Sequence, residues 1–360
     1  MKRFKQILSG LLVTVLMTST CLNASFAVSI DNQSLIYGEI EKSLSAIIPE
    51  KEYYGLGDVD MSKLSIGEKI PTYEVVDRSL EPTSVSLYPI FDNTGALAVV
   101  AATSAVNGEI IVSISQTFVD TLRLLAPDSQ ISIIYDNNDA YLLNDGTLIK
   151  LTEYPYENHL NRDNIETLTE NSLASLRGTA LSANKRLSVA ELPKPFGVDD
   201  EEIYLSVPIK AQPNNVLCWA ASCASIVSYI YNHDYDVEWM AELYGDPTSR
   251  NTKEIVDFLN KFFTVDYKVA DDHIYTNIWT SLHAGKPVYG LVLNRKNSEN
   301  SHAIVIRGIS YWSVFSLMDP YGGIYATGKI SRSGSWTFFR YVMARTGDEY
   351  SLWDYGYGSK

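Results

Sequence analysis

The residue best placed for chemistry is a cysteine at the start of a predicted helix. Downstream of Cys218, apolar residues recur every three or four positions, at Ala220, Cys223, Ala224, Val227 and Ile230. This spacing predicts a helix that begins beside the cysteine and buries one face. The first turn of a helix carries unpaired N–H groups and the positive end of the helix dipole, and both favour a thiolate over a thiol. Cys218 is therefore predicted to act as a nucleophile.

Three polar residues could assist this nucleophile. Gln212 lies six residues upstream, and the proline and asparagines between them let the chain turn back, so its amide could stabilise an oxyanion together with the backbone N–H of Cys218. Of the five histidines, only His302 opens an apolar run with strand character, which makes it the predicted general base. Asp319 ends a second short strand, where its carboxylate could accept the imidazole N–H and fix the tautomer.

Four motifs occur in one order: Gln-x5-Cys-Trp-Ala-Ala from Gln212, Lys-Pro-Val from Lys286, His-Ala-Ile-Val-Ile-Arg-Gly from His302, and Asp-Pro-x-Gly-Gly from Asp319. Together they resemble the papain-like cysteine peptidases, and most of all the compact bacterial peptidase C39-like group, over residues 203–345. The resemblance implies that Gln212 is the oxyanion donor and Cys218 the nucleophile. It also implies that His302 is the general base and Asp319 the orienting residue. Larger papain relatives carry Asn in that last place, so the carboxylate fits the C39-like pattern better.

The pattern around these motifs predicts an α+β domain. After the cysteine helix, helical patterns cover residues 237–244, 251–263 and 274–283. Strand patterns follow at residues 288–294, 301–309, 314–318, 323–330 and 336–344. Helices that precede an antiparallel sheet are typical of an α+β layout. Because Cys218 belongs to the helical side and His302 and Asp319 to the sheet side, a cleft is predicted between them.

A secretory signal peptide is predicted at residues 1–27. Three basic residues precede an apolar stretch, and small residues end at Ala27. Cys21 raises the alternative of a lipid anchor, but Thr18-Ser-Thr precedes it where a large apolar residue would be expected. No other segment approaches the roughly 20 apolar residues of a membrane span. The protein is therefore expected to be secreted and soluble after cleavage, with no membrane insertion.

The rest of the chain is predicted to contain two domains and a linker. Residues 28–170 hold a helical pattern followed by short β-rich runs between turn-forming clusters, which predicts a separate β-rich domain. Residues 171–202 are rich in Ser, Ala, Pro and charge and are predicted to be a linker, with a candidate proteolytic site at Lys185-Arg186. Residues 203–360 form the predicted peptidase domain.

Composition excludes several classes of partner. The net charge of −14 argues against nucleic acid and anionic membranes. Most of the acidity lies in residues 28–199, which hold 25 acidic and 12 basic residues. No HExxH or CxxC is present, so no metal or other cofactor is predicted. Cys218 and Cys223 lie too far apart along one helix for a disulfide, which leaves Cys218 a free thiol and Cys223 a core residue.

The predicted function is hydrolysis of peptide or protein substrates by a secreted cysteine peptidase. Acyl transfer or deamidation remains an alternative, because all of these reactions share the acyl-enzyme step. An inactive surface binding module is a further alternative. Papain-like enzymes commonly carry an N-terminal proregion, so residues 28 to about 200 are predicted to inhibit the peptidase until they are removed. The rival interpretation is a targeting or substrate-binding domain that stays attached.

Overall fold

The computed structural model describes residues 30–106, 108–126, 128–136, 139–151, 173, 176, 178–191, 193, 202–245, 251–270, 273–333 and 336–358. The predicted signal peptide and much of the predicted linker lie outside these ranges. The chain forms two compact units, residues 1–38 and 39–360. The described residues of the first unit are helical, and Gln33 Nε2 donates to Tyr37 Oη at 2.7 Å. None of the helices in the described ranges is both long and apolar enough to span a bilayer.

The helical elements of the described ranges are two 3₁₀ helices, η1 and η2, and six α-helices. Their order is α1 (Ile30–Ala46), η1 (Ile48–Tyr54), η2 (Met61–Lys63), α2 (Val119–Arg123), α3 (Cys218–Tyr231), α4 (Val237–Tyr244), α5 (Thr252–Phe263) and α6 (Ile274–His283). Helices α3 to α6 follow one another before the last group of strands. Their bounds agree closely with the helical patterns predicted for this part of the sequence.

The strands fall into an N-terminal and a C-terminal group. The first group is β1 (Ser65–Gly67), β2 (Thr72–Val76), β3 (Ser79–Pro82), β4 (Val85–Phe91), β5 (Leu97–Val106), β6 (Glu109–Ser115), β7 (Gln130–Asp136), β8 (Asp139–Asn144), β9 (Thr147–Lys150), β10 (Thr179–Ala180) and β11 (Ala183–Arg186). The second group is β12 (Ile203–Tyr204), β13 (Tyr267–Val269), β14 (Val288–Asn294), β15 (Ser301–Ile309), β16 (Val314–Asp319), β17 (Ile324–Ser333), β18 (Trp336–Met343) and β19 (Asp348–Gly358).

Within the described ranges these strands form two sheets. The larger has 13 strands in the order β11-β1-β4-β5-β6-β17-β16-β15-β14-β19-β13, with β12 beside β15 and β18 beside both β17 and β19. Strands β14 to β19 therefore close into a hydrogen-bonded ring. The smaller sheet has the order β3-β2-β7-β8-β9, with β10 beside β7. Its β2 and β7 run parallel, whereas the other described pairs are antiparallel.

Local turn chemistry accounts for the N-terminal hairpins. Between β4 and β5, Asp92 Oδ1 accepts the backbone N–H groups of Thr94 at 2.8 Å and Ala96 at 3.0 Å. Between β8 and β9, Asp145 and Gly146 have φ values of 47° and 82°. A two-residue hairpin turn of type I′ requires a positive φ at both central residues. The turn-forming clusters predicted from the sequence therefore form the turns between β4 and β5 and between β8 and β9.

Helix α3 is the centre of the C-terminal core. Its residues from Trp219 to Ser228 are all buried, so the helix is enclosed on every side rather than on the single face that the apolar spacing predicted. It packs against strand β15 and helices α4 and α5. Helix α5 begins after Asn251, whose Oδ1 caps the helix by accepting the N–H of Glu254 at 3.0 Å.

A mixed α and β fold is confirmed, but a separate N-terminal domain is not. Residues 39–360 form one compact unit, in which β6 pairs with β17 at Ser115 and Ala326. Inside the predicted linker, Lys185 and Arg186 belong to β11 and pair with β1. This short strand has four exposed residues and no alternation of burial, so no sequence pattern could indicate it.

Candidate active site

Cys218 is the first residue of helix α3. No side chain caps this end of the helix. The next residue, Trp219, is 1% exposed, and its ring contacts Tyr244 and Phe258 edge-on at centroid distances of 5.3 and 6.4 Å. Cys218 itself is only partly buried. The sulfur therefore lies at an anchored helix start that keeps access to solvent.

His302 and Asp319 lie on neighbouring antiparallel strands. The register pairs Val305 with Met318, so the start of β15 lies near the end of β16. His302 Nε2 and Asp319 Oδ1 are 2.7 Å apart. The same carboxylate oxygen accepts the backbone N–H of Tyr321 at 2.9 Å, and Asp319 is 1% exposed. Because the carboxylate is fixed in this way, it also fixes the orientation of the imidazole ring.

The imidazole of His302 and the thiol of Cys218 line the same cleft, and each affects the pKa of the other. Burial raises the pKa of the Cys218 thiol, but the hydrogen bond and positive charge of His302, with the backbone N–H groups of Ala303 and Trp219, bring that pKa below its ordinary value. Burial lowers the pKa of His302, but the charge and hydrogen bond of Asp319, followed by the contact with Cys218, raise it to about 10. Both shifts favour a thiolate and imidazolium pair at neutral pH.

Gln212 lies beside the same cleft as Cys218 and His302. Its backbone N–H donates to Pro320 O at 2.9 Å, which ties it to the residue after Asp319. Its Nε2 donates one hydrogen to Asn214 O at 2.8 Å, and its buried Oε1 has no hydrogen-bond partner within the described part of the chain. Since an amide nitrogen carries two hydrogens, one N–H of Gln212 remains for an oxyanion.

The cleft has a volume of about 250 Å³ and includes aromatic residues that the sequence did not identify. The rings of Tyr321 and Tyr350 lie edge-on to His302, each at a centroid distance of 6.2 Å. Tyr321 belongs to the Asp-Pro-x-Gly-Gly motif, a signal that could have located it. Tyr350 lies on β19, which no strand pattern predicted. A second pocket of about 400 Å³, lined by Ser206 and His233 among others, contains none of the predicted site residues.

The other candidate groups lie elsewhere. Cys223 is fully buried, and its burial raises its thiol pKa well above the ordinary value, so it is a core residue and no nucleophile. His283 stacks on Trp279 at a centroid distance of 3.8 Å, and His233 contacts Tyr235 at 4.8 Å. His159 lies outside the described residues. Gln212, Cys218 and His302 thus line one cleft, and Asp319 adjoins it through its hydrogen bond with His302.

Comparison with known proteins places the similarity in the same part of the chain. Residues 204–343 match the model of the Peptidase_C39 like family. A crystal structure of a C39-like peptidase from Bacillus anthracis is 15% identical, covering 37% of this chain and all of that chain, with a TM-score of 0.28. Apo-PhuS, a heme-binding protein from Pseudomonas aeruginosa, is 10% identical over 90% of this chain and 93% of its own, with a TM-score of 0.15.

Both structural similarities are weak in TM-score and in sequence identity, and no curated protein matches the sequence. The family match stands without them. The resemblance to C39-like, papain-like peptidases that the four motifs predicted is therefore confirmed for residues 204–343. The residues upstream of this segment are not covered by it.

Proposed function

We propose that this protein is a secreted cysteine peptidase in which Cys218, His302 and Asp319 cleave peptide bonds. The observation that carries the proposal is the placement of the Cys218 thiol and the His302 ring at one open cleft, with that ring 2.7 Å from the carboxylate of Asp319. The family match over residues 204–343 supports the same class. Secretion rests on the signal peptide predicted at residues 1–27.

The first half of the reaction forms an acyl-enzyme. The thiolate of Cys218 attacks the carbonyl carbon of the scissile bond, and the oxyanion accepts hydrogen bonds from the backbone N–H of Cys218 and the amide of Gln212. As the C–N bond breaks, the imidazolium of His302 gives its proton to the leaving amine. Because Nε2 of His302 is bound to Asp319, the proton comes from Nδ1. The amine product leaves, and the acyl group stays on the sulfur as a thioester.

The second half releases the acyl group. The neutral ring of His302 takes a proton from water at Nδ1 while the water oxygen attacks the thioester carbonyl. The tetrahedral intermediate then expels the sulfur of Cys218, which restores the thiolate and imidazolium pair and yields a carboxylic acid. An amine in place of water would make the same site an acyltransferase.

The test is mass spectrometry of a peptide library incubated with the protein, with and without an added amine. We expect new free carboxyl termini in the wild-type reaction and none with Cys218→Ala. Amine adducts as the main product would replace hydrolysis by acyl transfer. Loss of a single terminal or side-chain amide as ammonia would replace it by deamidation. If the wild-type protein is not labelled by iodoacetamide at Cys218 and forms no product, the protein is a binding module and the proposal fails.

A further inference from the structure

Acidic residues of the N-terminal half (residues 39–191) pair with basic residues of the peptidase half (residues 202–358). The described pairs are Glu39 with Lys329 at 2.8 Å, Glu50 with Arg307, Glu74 with Lys296 at 2.7 Å, and Glu109 with both Arg340 at 3.4 Å and Lys329 at 3.9 Å. In each of these pairs the carboxylate comes from the N-terminal half and the cation from the peptidase half. The two halves are therefore complementary at their contact, although each carries a net negative charge.

The pair of Glu50 and Arg307 is fully enclosed. Arg307 is 0% and Glu50 is 2% exposed. The guanidinium packs on the rings of Tyr53 and Tyr325, at 4.4 and 4.7 Å from their centroids, and its Nε donates to Leu205 O at 2.8 Å. Removing a guanidinium from water is costly unless a counter-charge and hydrogen bonds compensate it. The peptidase half therefore depends on Glu50 of η1 for this buried charge.

Backbone contacts join the halves as well. The N–H of Ile114 donates to Thr327 Oγ1 at 2.8 Å, and the N–H of Val342 donates to Ser113 Oγ at 2.8 Å. These bonds lie beside the point where β6 pairs with β17. Separation of the halves would break both of these buried hydrogen bonds.

Apolar packing crosses the same contact. Val342 and Ala344 of the peptidase half belong to a buried cluster whose other members come from the N-terminal half. Tyr135 of β7 donates its hydroxyl to Ala344 O at 2.7 Å. Gly347 has a φ of 68°, and a Cβ there would collide with the ring of Tyr135. The turn before β19 is therefore shaped to fit β7.

The contact reaches the wall of the cleft. Lys296, which pairs with Glu74, lies in the segment between β14 and β15, and the end of that segment, including Glu299, lines the cleft beside His302. Arg295 of the same segment pairs with Glu349 at 2.9 Å, and Glu349 accepts a hydrogen bond from Ser104 at 3.1 Å. The described lining residues of the cleft all fall between 212 and 350. The N-terminal half thus supports the wall from outside without occupying the cleft.

We propose that the N-terminal half is a permanent structural part of the enzyme, which supports the cleft wall and stays bound to the peptidase half when the connecting chain is cut. The part of this inference that concerns activity rests on the proposed function, whereas the binding of the two halves does not. This proposal is the opposite of the inhibitory proregion predicted from the sequence, in which the N-terminal half restrains the peptidase half. The peptidase half needs the N-terminal half and is not released by losing it.

The test cuts the folded chain between the halves. A recognition sequence for a site-specific protease replaces residues 195–199 of the chain from residue 28 onward, and the uncut form of the same variant is the control. After complete cleavage, shown by denaturing electrophoresis, size-exclusion chromatography in 1 M NaCl should show one peak with both fragments in a 1:1 ratio. Peptide hydrolysis should stay within about twofold of the uncut control.

Two results overturn the proposal. One is separation of the fragments under native conditions with the peptidase half still monomeric and folded by circular dichroism. The other is a severalfold rise in hydrolysis after cleavage that is reversed by adding the N-terminal fragment back, as an inhibitory proregion requires. If the fragments stay together but neither form hydrolyses any peptide, the proposed function fails while the permanent association stands.

Discussion

Strand β15 carries two buried ion pairs with different consequences. Near its start, His302 pairs with Asp319 and also contacts Cys218, at the edge of a cleft. Five residues later, Arg307 pairs with Glu50, packs on two tyrosine rings and has no exposed surface. An imidazole can give and take a proton near neutral pH, whereas a guanidinium keeps its proton. Because His302 can transfer a proton and lies beside a thiol and a cleft, His302 and Asp319 form the proposed reactive pair, whereas Glu50 and Arg307 form a structural pair.

The two pairs also differ in where the acid comes from. Asp319 lies 17 residues after His302, on the next strand. Glu50 lies 257 residues before Arg307, in the N-terminal half. The reactive pair is therefore built entirely within the peptidase half, while the structural pair joins the halves. Substitutions at the two ends of β15 should accordingly affect turnover in one case and unfolding in the other.

The largest expected effect is on turnover. Cys218→Ala should reduce kcat/KM to background, a loss on the order of 10⁴-fold or more, because the nucleophile and its base act as a unit. Its free energy of unfolding should change little, since the side chain lies at a cleft wall. The matched control is Cys223→Ala, which should retain activity and lose some stability. The assignment of the nucleophile is wrong if the two variants exchange these behaviours in kinetic and urea-unfolding measurements.

The next largest effect concerns the structural pair. Glu50→Gln leaves the buried guanidinium of Arg307 without its counter-charge, which should lower the free energy of unfolding by about 3–5 kcal/mol. The control is Asp257→Asn, which breaks the exposed pair with Lys253 on α5 and should cost no more than about 0.5 kcal/mol. Urea unfolding of both variants gives the comparison. Equal effects would show that the enclosed pair does not hold the halves together.

A smaller effect is expected at the oxyanion donor. Gln212→Ala removes one amide N–H from the cleft and should lower kcat about 100-fold, the usual effect of losing one such donor. KM should change less, because the oxyanion forms only after substrate binding. Steady-state kinetics on one peptide substrate measures both constants. Near-normal turnover would mean that another donor serves the oxyanion.

The pH dependence of turnover should report the protonation of Cys218 and His302. The lowered pKa of Cys218 moves the acid limb of the profile to a lower pH than an ordinary thiol would give, so hydrolysis should be lost as pH falls through that lowered pKa. At the other limit, His302 loses its proton as pH rises through about 10, and the acid for the leaving amine is lost. Asp319→Asn removes the main cause of the raised pKa of His302, so the alkaline limb should move to lower pH. An unmoved limb in the profile of kcat/KM against pH would exclude His302 as the acid.

Much of the candidate site could be predicted because each of its residues stands in a local pattern. Cys218 begins a helix with regular apolar spacing, His302 opens an apolar strand, and Asp319 precedes Pro and two glycines at a turn. Tyr350 could not be found, since β19 is a mixed run of aromatic, acidic and glycine residues with no regular alternation of burial. The full burial of α3 was also missed, because apolar spacing reports one face while Ser222 and Ser225 on the other faces are covered by neighbouring elements.

Local sequence patterns were enough to predict the helices of the peptidase half, most of its strands, and the residues that form or adjoin the cleft. They could not show that β6 continues the sheet of the peptidase half or that Glu50 is the partner of Arg307, because both depend on the packing of distant segments. The difference lies in the range of the interactions. Turn, cap and periodicity signals act over a few residues, whereas an ion pair across 257 residues has many possible partners of the same charge. Which partner is used depends on burial, and burial exists only once the halves have packed.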